Sequence, residues 1–200
     1  MQTITDIKDL EALYGAAVPQ SLTKVRTRLT PLYRQWIETA RFVVLTSVGP
    51  EGTDASPRGE DGPVVRIADD RTLLLPDWMG NNRIDTLRNI VRDGRVSLMF
   101  MVAGSNNVVR INGTAVLTAD EAILDSFAKS GRRPRSVTII TVGEIYFQCA
   151  KALLRSGLWT REHDGHLVPT AGQFVNETDE SFDGAAYDAG YAEYAKDRMW

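Results

Sequence analysis

The fold of this 200-residue chain is limited above all by strand-forming segments that follow one another through short turns. Residues 41–48 are rich in β-branched and aromatic side chains, and the Gly-Pro-Glu-Gly sequence at 49–52 is a turn. Consecutive strands joined by tight turns pair as antiparallel hairpins, so the pattern favours a meander over a parallel sheet with crossover helices. The other predicted strands begin at Thr53 and cover residues 72–75, 95–103, 108–117 and 137–147, and residues 63–67 look extended.

Helical segments flank these strands. Thr30 followed by Pro31 predicts a helix start, with threonine as the N-cap and proline at the first helical position. The sequence Thr-Ala-Asp-Glu from Thr118 has the form of a capping box and predicts a second helix. Together the segments predict a mainly β protein with flanking helices (α+β), in which six antiparallel strands form a barrel.

Charge is unevenly distributed along the chain. The 26 acidic and 23 basic residues give a net charge of −3, which argues against a general nucleic-acid-binding protein because such proteins usually carry a basic excess. From Gly172 onward, seven acidic residues accompany only two basic ones. We therefore divide the chain into an N-terminal helical segment (1–40), a barrel domain (41–160) and an acidic C-terminal extension (161–200).

Cysteine and apolar-run content predict the compartment. Cys149 is the single cysteine, so no intrachain disulfide forms, which fits a reducing compartment. We expect Cys149 to be a small buried side chain rather than a nucleophile. The N-terminal residues lack the apolar run of a signal peptide, and no apolar run approaches the roughly 18 residues that span a bilayer. The sequence therefore predicts a cytoplasmic protein that does not enter a membrane.

Three short polar segments interrupt the apolar strands: Ser-Pro-Arg-Gly at 56–59, Gly-Asn-Asn-Arg at 80–83 and Arg-Ile-Asn-Gly at 110–113. The second lies at a predicted helix start, where backbone N–H groups and the helix dipole attract an anion. Arg58 and Arg83 would add charge-assisted hydrogen bonds. Taken singly, each segment also reads as an ordinary turn, helix cap or solvated side chain. The segments form one polar site only if the fold brings them together.

The chain resembles the pyridoxamine 5'-phosphate oxidase-like family in the order of these segments. The most specific part is Asn-Asn-Arg-Ile-Asp-Thr-Leu-Arg-Asn at 81–89, and Cys-Ala-Lys-Ala at 149–152 adds to it. The likeness is to a bacterial branch of the family more than to the vitamin-making oxidase, which has Ser-Arg-Lys at the helix start. It implies the FMN-binding split β-barrel fold and a homodimer with cofactor sites at the interface.

The resemblance also implies roles for individual residues. Arg58 and the helix-start residues correspond to positions that hold the FMN phosphate, and Ser56 belongs to the segment beside the flavin. Arg110 matches a strand position that reaches the cofactor, often across the dimer interface, and Lys151 matches a basic position after the last strand. No catalytic or metal-binding residue is assigned. The implied cofactor-binding residues are Ser56, Arg58, Gly59, Asn81, Asn82, Arg83, Arg110 and Lys151.

The resemblance implies an FMN-dependent oxidoreductase that acts on an unidentified small molecule. A deazaflavin is the alternative cofactor, since the same fold hosts several chemistries and does not by itself decide function. Two other functions stay open. The first is a flavin-binding or electron-carrying protein without a dedicated substrate, and the second is a split-barrel dimer module that binds no flavin.

Overall fold

The structure, a computed structural model, describes residues 1–196 and 198–200. Its centre is one antiparallel sheet with helices around it, which confirms the predicted α+β class. The strands are β1 (Phe42–Gly49), β2 (Gly52–Gly59), β3 (Arg66–Ile67), β4 (Thr72–Asp77), β5 (Arg95–Met101), β6 (Val108–Thr118) and β7 (Ser136–Gln148). Their order in the sheet is β2-β1-β5-β6-β7-β4-β3, so β2 and β3 are its two edges.

The prediction of six strands is wrong, because the sheet has seven. The additional strand is β3, which is two residues long and pairs with β4 at the edge of the sheet. Val64 and Val65, which belong with β3 to the segment 63–67 expected to be extended, lie before it and are buried. The N–H of Val64 donates to the carbonyl of Ala40 (2.9 Å) rather than to a neighbouring strand. This stretch therefore covers the core without lengthening the sheet.

Two helix starts show how well caps can be predicted from sequence. The helix at Pro31–Thr39 begins as expected, because the Thr30 hydroxyl accepts the N–H of Tyr33. The helix at Glu121–Asp125 begins later than predicted: Asp120, not Thr118, accepts the N–H of Ile123 (3.1 Å). The helices are α1 (Ile7–Tyr14), α2 (Pro19–Thr23), α3 (Pro31–Thr39), α4 (Asp85–Arg92), α5 (Glu121–Asp125), α6 (Lys151–Ser156), α7 (Ala171–Thr178) and α8 (Gly184–Lys196).

The sheet has one buried face and one partly exposed face. Val43 and Leu45 of β1 belong to a single apolar cluster with Ile37 of α3 and Ile90 of α4. Burying an aliphatic side chain of this size contributes about 1.5–3 kcal/mol. The alternate residues form what we call the outer sheet face, whose apolar members include Phe42, Val44, Met99 and Met101. Within the described residues, no helix has both the length and the apolar character needed to cross a bilayer.

Candidate functional site

A cavity of about 600 Å³ lies between the edge strand β2, the end of β4 and the start of α4. Sites for small organic ligands typically measure roughly 300–1,000 Å³, so this cavity is large enough for one. Two of the three polar segments come together here, although α4 and β2 are far apart in sequence. The predicted site residues that line the cavity are Ser56, Arg58, Gly59, Asn81, Asn82 and Arg83.

The pairing register of β2 explains why its polar side chains reach this cavity. Ser56 lies opposite Leu45 and Arg58 lies opposite Val43 on β1. Since Leu45 and Val43 are on the buried face of β1, Ser56 and Arg58 share that face. Pro57 is tolerated between them because β2 is an edge strand, where a missing N–H disturbs no second neighbour.

Arg58 connects β2 to β4 across the open side of the sheet. Its Nη1 forms an ion pair with the carboxylate of Asp77, and both side chains are mostly buried. The Nε of Arg58 is buried and has no hydrogen-bond partner among the described residues. Trp78 also lines the cavity, and its indole Nε1 is likewise buried without a hydrogen-bond partner among the described residues. A buried donor without an acceptor costs about 1–3 kcal/mol, so two such groups are unusual in one wall.

The loop before α4 has an uncommon backbone. Asn82 and Ile84 both have left-handed conformations, with φ values of 61° and 52°. This region is unfavourable for a β-branched residue such as Ile84. Asn81 supports the turn by accepting the N–H of Arg83 at Oδ1 (3.1 Å). Ile84 is the N-cap of α4 and offers no side-chain acceptor, so the first-turn N–H groups lack a side-chain cap beside the cavity.

Arg83 and two carboxylates of the cavity lining already have hydrogen-bond partners within the chain. The Nε of Arg83 donates to Oδ2 of Asp85 (2.5 Å), and this hydrogen bond raises the pKa of the Arg83 guanidinium. Its side chain is 80% exposed. The carboxylates of the lining are also engaged: Asp54 accepts the hydroxyl of Thr86, and Glu60 accepts the indole N–H of Trp200 (3.0 Å). The cavity is therefore of mixed charge rather than simply cationic.

Arg135 is a lining residue that the sequence interpretation missed. Its Nη1 donates to Oδ1 of Asn82 (2.7 Å), and its backbone N–H donates to the carbonyl of Asp77 (3.0 Å). Arg58 and Arg83 each pair with a carboxylate, whereas Arg135 forms no ion pair with any residue that the structure describes. The basic sequence at 132–135 was the available signal, but spacing alone does not show which of its arginines faces the cavity.

Arg110 and Lys151 do not line this cavity. Arg110 lies on the outer sheet face, where its Nη1 donates to Gln148 (3.1 Å) and its guanidinium lies 5.4 Å from the ring centre of Tyr146. Lys151 is exposed at the first residue of α6.

The expectation that Cys149 is buried is wrong, because β7 ends at Gln148 and Cys149 is exposed after it. Among the described residues, no three His, Cys, Asp or Glu side chains are placed to hold a metal ion.

Comparison with known proteins identifies the family to which the chain belongs. HupZ of Group A Streptococcus, in a variant form, is 21% identical over 60% of this chain and 98% of its own, with a TM-score of 0.50. A candidate pyridoxamine 5'-phosphate oxidase of Lactobacillus delbrueckii is 19% identical over 60% of this chain and 95% of its own, with a TM-score of 0.49. Such identities indicate similarity of fold alone, and no curated protein matches. The family model for pyridoxamine 5'-phosphate oxidase matches residues 29–149, more than half of the sequence, and the chain therefore belongs to that family.

Proposed function

We propose that this protein binds FMN in the cavity and is a flavin-dependent oxidoreductase that acts on a small molecule. The observation that carries the proposal is that residues 56–59 and 80–83 line one cavity together with Arg135. Members of the family commonly bind a flavin. The cavity volume, the two unpartnered N–H donors in its wall and the arginine without a carboxylate partner all suit an anionic, hydrogen-bonding ligand.

The end of the cavity at α4 is suited to the phosphate. The uncapped first turn of α4 offers backbone N–H groups and the positive end of a helix dipole. Arg135 and Arg83 would add charge-assisted hydrogen bonds, and Arg83 is exposed enough to turn toward an anion. Arg58, fixed by Asp77, would donate through its unpartnered Nε. Amide groups of Asn81 and Asn82 complete a site with donors on several sides.

The flavin would supply the redox chemistry, and the protein would supply its position and electrostatic environment. Ser56 and Gly59 line the cavity, so the edge strand β2 that carries them forms one of its walls. An edge strand has backbone N–H and C=O groups that no second strand uses, and these can bind the polar edge of a planar ring. We assign no proton-transfer residue.

We further propose that the protein is a homodimer, because its outer sheet face leaves apolar side chains of β1 and β5 partly exposed. A second copy on this face would bury them. Arg110 lies on the same face and Lys151 follows the neighbouring strand β7, so both would reach the cofactor of the partner rather than their own. The single cysteine of the chain supports a proposed cytoplasmic location.

The test is a titration of the purified protein with FMN and with riboflavin, which lacks the phosphate. We expect the absorption bands of bound oxidised flavin and an FMN affinity at least about tenfold above that for riboflavin, since one charge-assisted bond contributes about 1.5–3 kcal/mol. Failure to bind any flavin would refute the proposal and leave a dimer module. Anaerobic reduction by NADH or NADPH and reoxidation by a small-molecule acceptor would support the enzyme. A flavin that exchanges electrons without a substrate would indicate a carrier.

A further inference from the structure

The two-residue segment Met199–Trp200 lies against the cavity, although the other lining residues are at positions 54–87, 135 and 136. Met199 is itself part of the lining. The indole N–H of Trp200 donates to Oε2 of Glu60 (3.0 Å), and Glu60 directly follows Gly59 at the end of β2. The segment is therefore attached to the same wall that carries Ser56 and Arg58.

Trp200 is held by three different interactions. Besides the hydrogen bond to Glu60, the ammonium of Lys129 lies 4.1 Å from the centre of its ring, and Nη1 of Arg132 donates to its main-chain oxygen (2.9 Å). Lys129 also contacts Glu60 (3.6 Å) and forms an ion pair with Asp61. The hydrogen bond to Asp61 raises the pKa of Lys129, so the cation over the ring remains charged. Ring edge, ring face and backbone are each fixed by a separate group.

Burial distinguishes the residue that anchors this segment, Trp200, from the residue that is free to contact a ligand, Met199. The Glu60 side chain is only 11% exposed, and its other oxygen, Oε1, is buried without a partner among the described residues. Trp200 is half-buried over this carboxylate, whereas Met199 is exposed at the edge of the cavity. A methionine side chain is flexible and polarizable and makes favourable contacts with planar aromatic rings.

We propose that Met199–Trp200 is a clasp on the cavity, in which Trp200 holds Met199 against the bound ligand and slows its release. The ligand class is a planar heteroaromatic molecule that carries an anionic group. The inference rests on the proposed function for the ligand, but the clasp itself stands on contacts within the chain. Met199 is the contact residue, and Trp200 is a positioning residue.

The first experiment measures the dissociation of FMN from the full-length protein by stopped-flow fluorescence. Trp200→Ala and Met199→Ala should each raise the dissociation rate, with Trp200→Ala raising it about tenfold and the association rate changing little. The matched control is Trp159→Ala, because the indole N–H of Trp159 is also a hydrogen-bond donor, in this case to the backbone carbonyl of Ser105 (2.7 Å), and Trp159 does not line the cavity. A rate for Trp200→Ala within twofold of wild type, or equal to that of Trp159→Ala, overturns the clasp.

A second measurement needs no flavin. Hydrogen exchange of the ligand-free protein should become faster in residues 57–63 and 127–133 of Trp200→Ala, because Glu60 loses the indole N–H that it accepts and Lys129 loses the ring that it covers. Trp200→Phe keeps a ring over Lys129 but lacks the indole N–H. Its exchange rates should therefore fall between those of wild type and those of Trp200→Ala. Unchanged exchange in both segments overturns the clasp. If wild type binds no FMN, the proposed function fails while this comparison still decides the clasp.

Discussion

Three arginines of the cavity carry the same charge but are not equivalent. Arg58 is mostly buried and paired with Asp77, so its removal would leave a buried carboxylate without its cation. Arg83 shares its charge with Asp85 on the exposed rim. Arg135 contacts an amide oxygen instead of a carboxylate, and an incoming anion has no acidic partner to displace from it. Arg135 is therefore the residue at which phosphate binding can be tested with the least disturbance of the fold.

We predict that Arg135→Ala weakens FMN binding by about 1.5–3 kcal/mol, because a charge-assisted hydrogen bond is lost. Riboflavin affinity should stay unchanged, since it has no phosphate. Isothermal titration calorimetry with both ligands gives the comparison. Arg133→Ala is the control, because Arg133 pairs with Glu121 and Asp125 and does not line the cavity. Equal losses for FMN and riboflavin would contradict a phosphate contact of Arg135.

At the residue scale the sequence predicted several side chains that line the cavity, but not which of them are already engaged with a partner. Ser56, Arg58 and Arg83 were singled out because short polar segments contrast with apolar strands, and all three line the cavity. The carboxylate partner of Arg58 lies on another strand, so sequence spacing does not reveal it. The left-handed backbone at Ile84 was missed because local sterics disfavour that conformation for isoleucine, and only the surrounding fold imposes it.

Among the elements, the antiparallel pairing of β6 with β7 explains the third polar segment in structural terms. Its register shifts between Asn112 and Gly113, where an irregularity interrupts regular pairing. A Cβ on Gly113 would lie 2.0 Å from the carbonyl oxygen of Thr141 and 3.1 Å from the nitrogen of Gly143. The side chain of Asn112 donates to Glu144 across the strands (2.7 Å). The glycine of this segment therefore permits close approach of two backbones.

We predict that Gly113→Ala destabilises the protein by at least about 1–3 kcal/mol, because backbone atoms cannot move aside as a flexible side chain does. The midpoint of urea unfolding should fall accordingly. Gly165→Ala is the matched control, since a Cβ there meets no atom within 4 Å and its φ is not left-handed. Equal midpoints for the two variants would show that the β6–β7 register can relax around a methyl group.

Long apolar strands were predictable, whereas short elements were not. The predicted strands at 41–48 and 137–147 correspond to β1 and β7 within one residue at each end. The two residues of β3 and the cap of α5 depend on neighbours that sequence periodicity does not include. The tyrosines of α8 contact one another as tilted rings, with ring centres 5.6 Å apart for Tyr187 and Tyr191.

For the whole molecule, the sheet order determines which surfaces one copy leaves exposed. The central strands β1, β5 and β6 bury one face and leave the outer sheet face partly exposed. The cavity at the β2 edge contains two of the three polar segments, while Arg110 of the third lies on the outer face. A second copy would account for both features. The division into segments 1–40, 41–160 and 161–200 remains a prediction. The structure shows that residues 41–160 and 161–200 contact each other where Trp200 donates to Glu60.

The dimer is best tested at the centre of the outer sheet face. Met99 is 37% exposed and lies opposite Val44 on one side and Arg110 on the other. We predict that Met99→Lys produces monomers in light-scattering measurements, because an uncompensated buried charge costs about 3–5 kcal/mol at each copy. FMN affinity should fall with it, since Arg110 and Lys151 would come from the partner. Val91→Lys, on an exposed position of α4, should keep both the mass and the affinity. A Met99→Lys monomer that binds FMN as tightly as wild type would place the whole cofactor site within one chain.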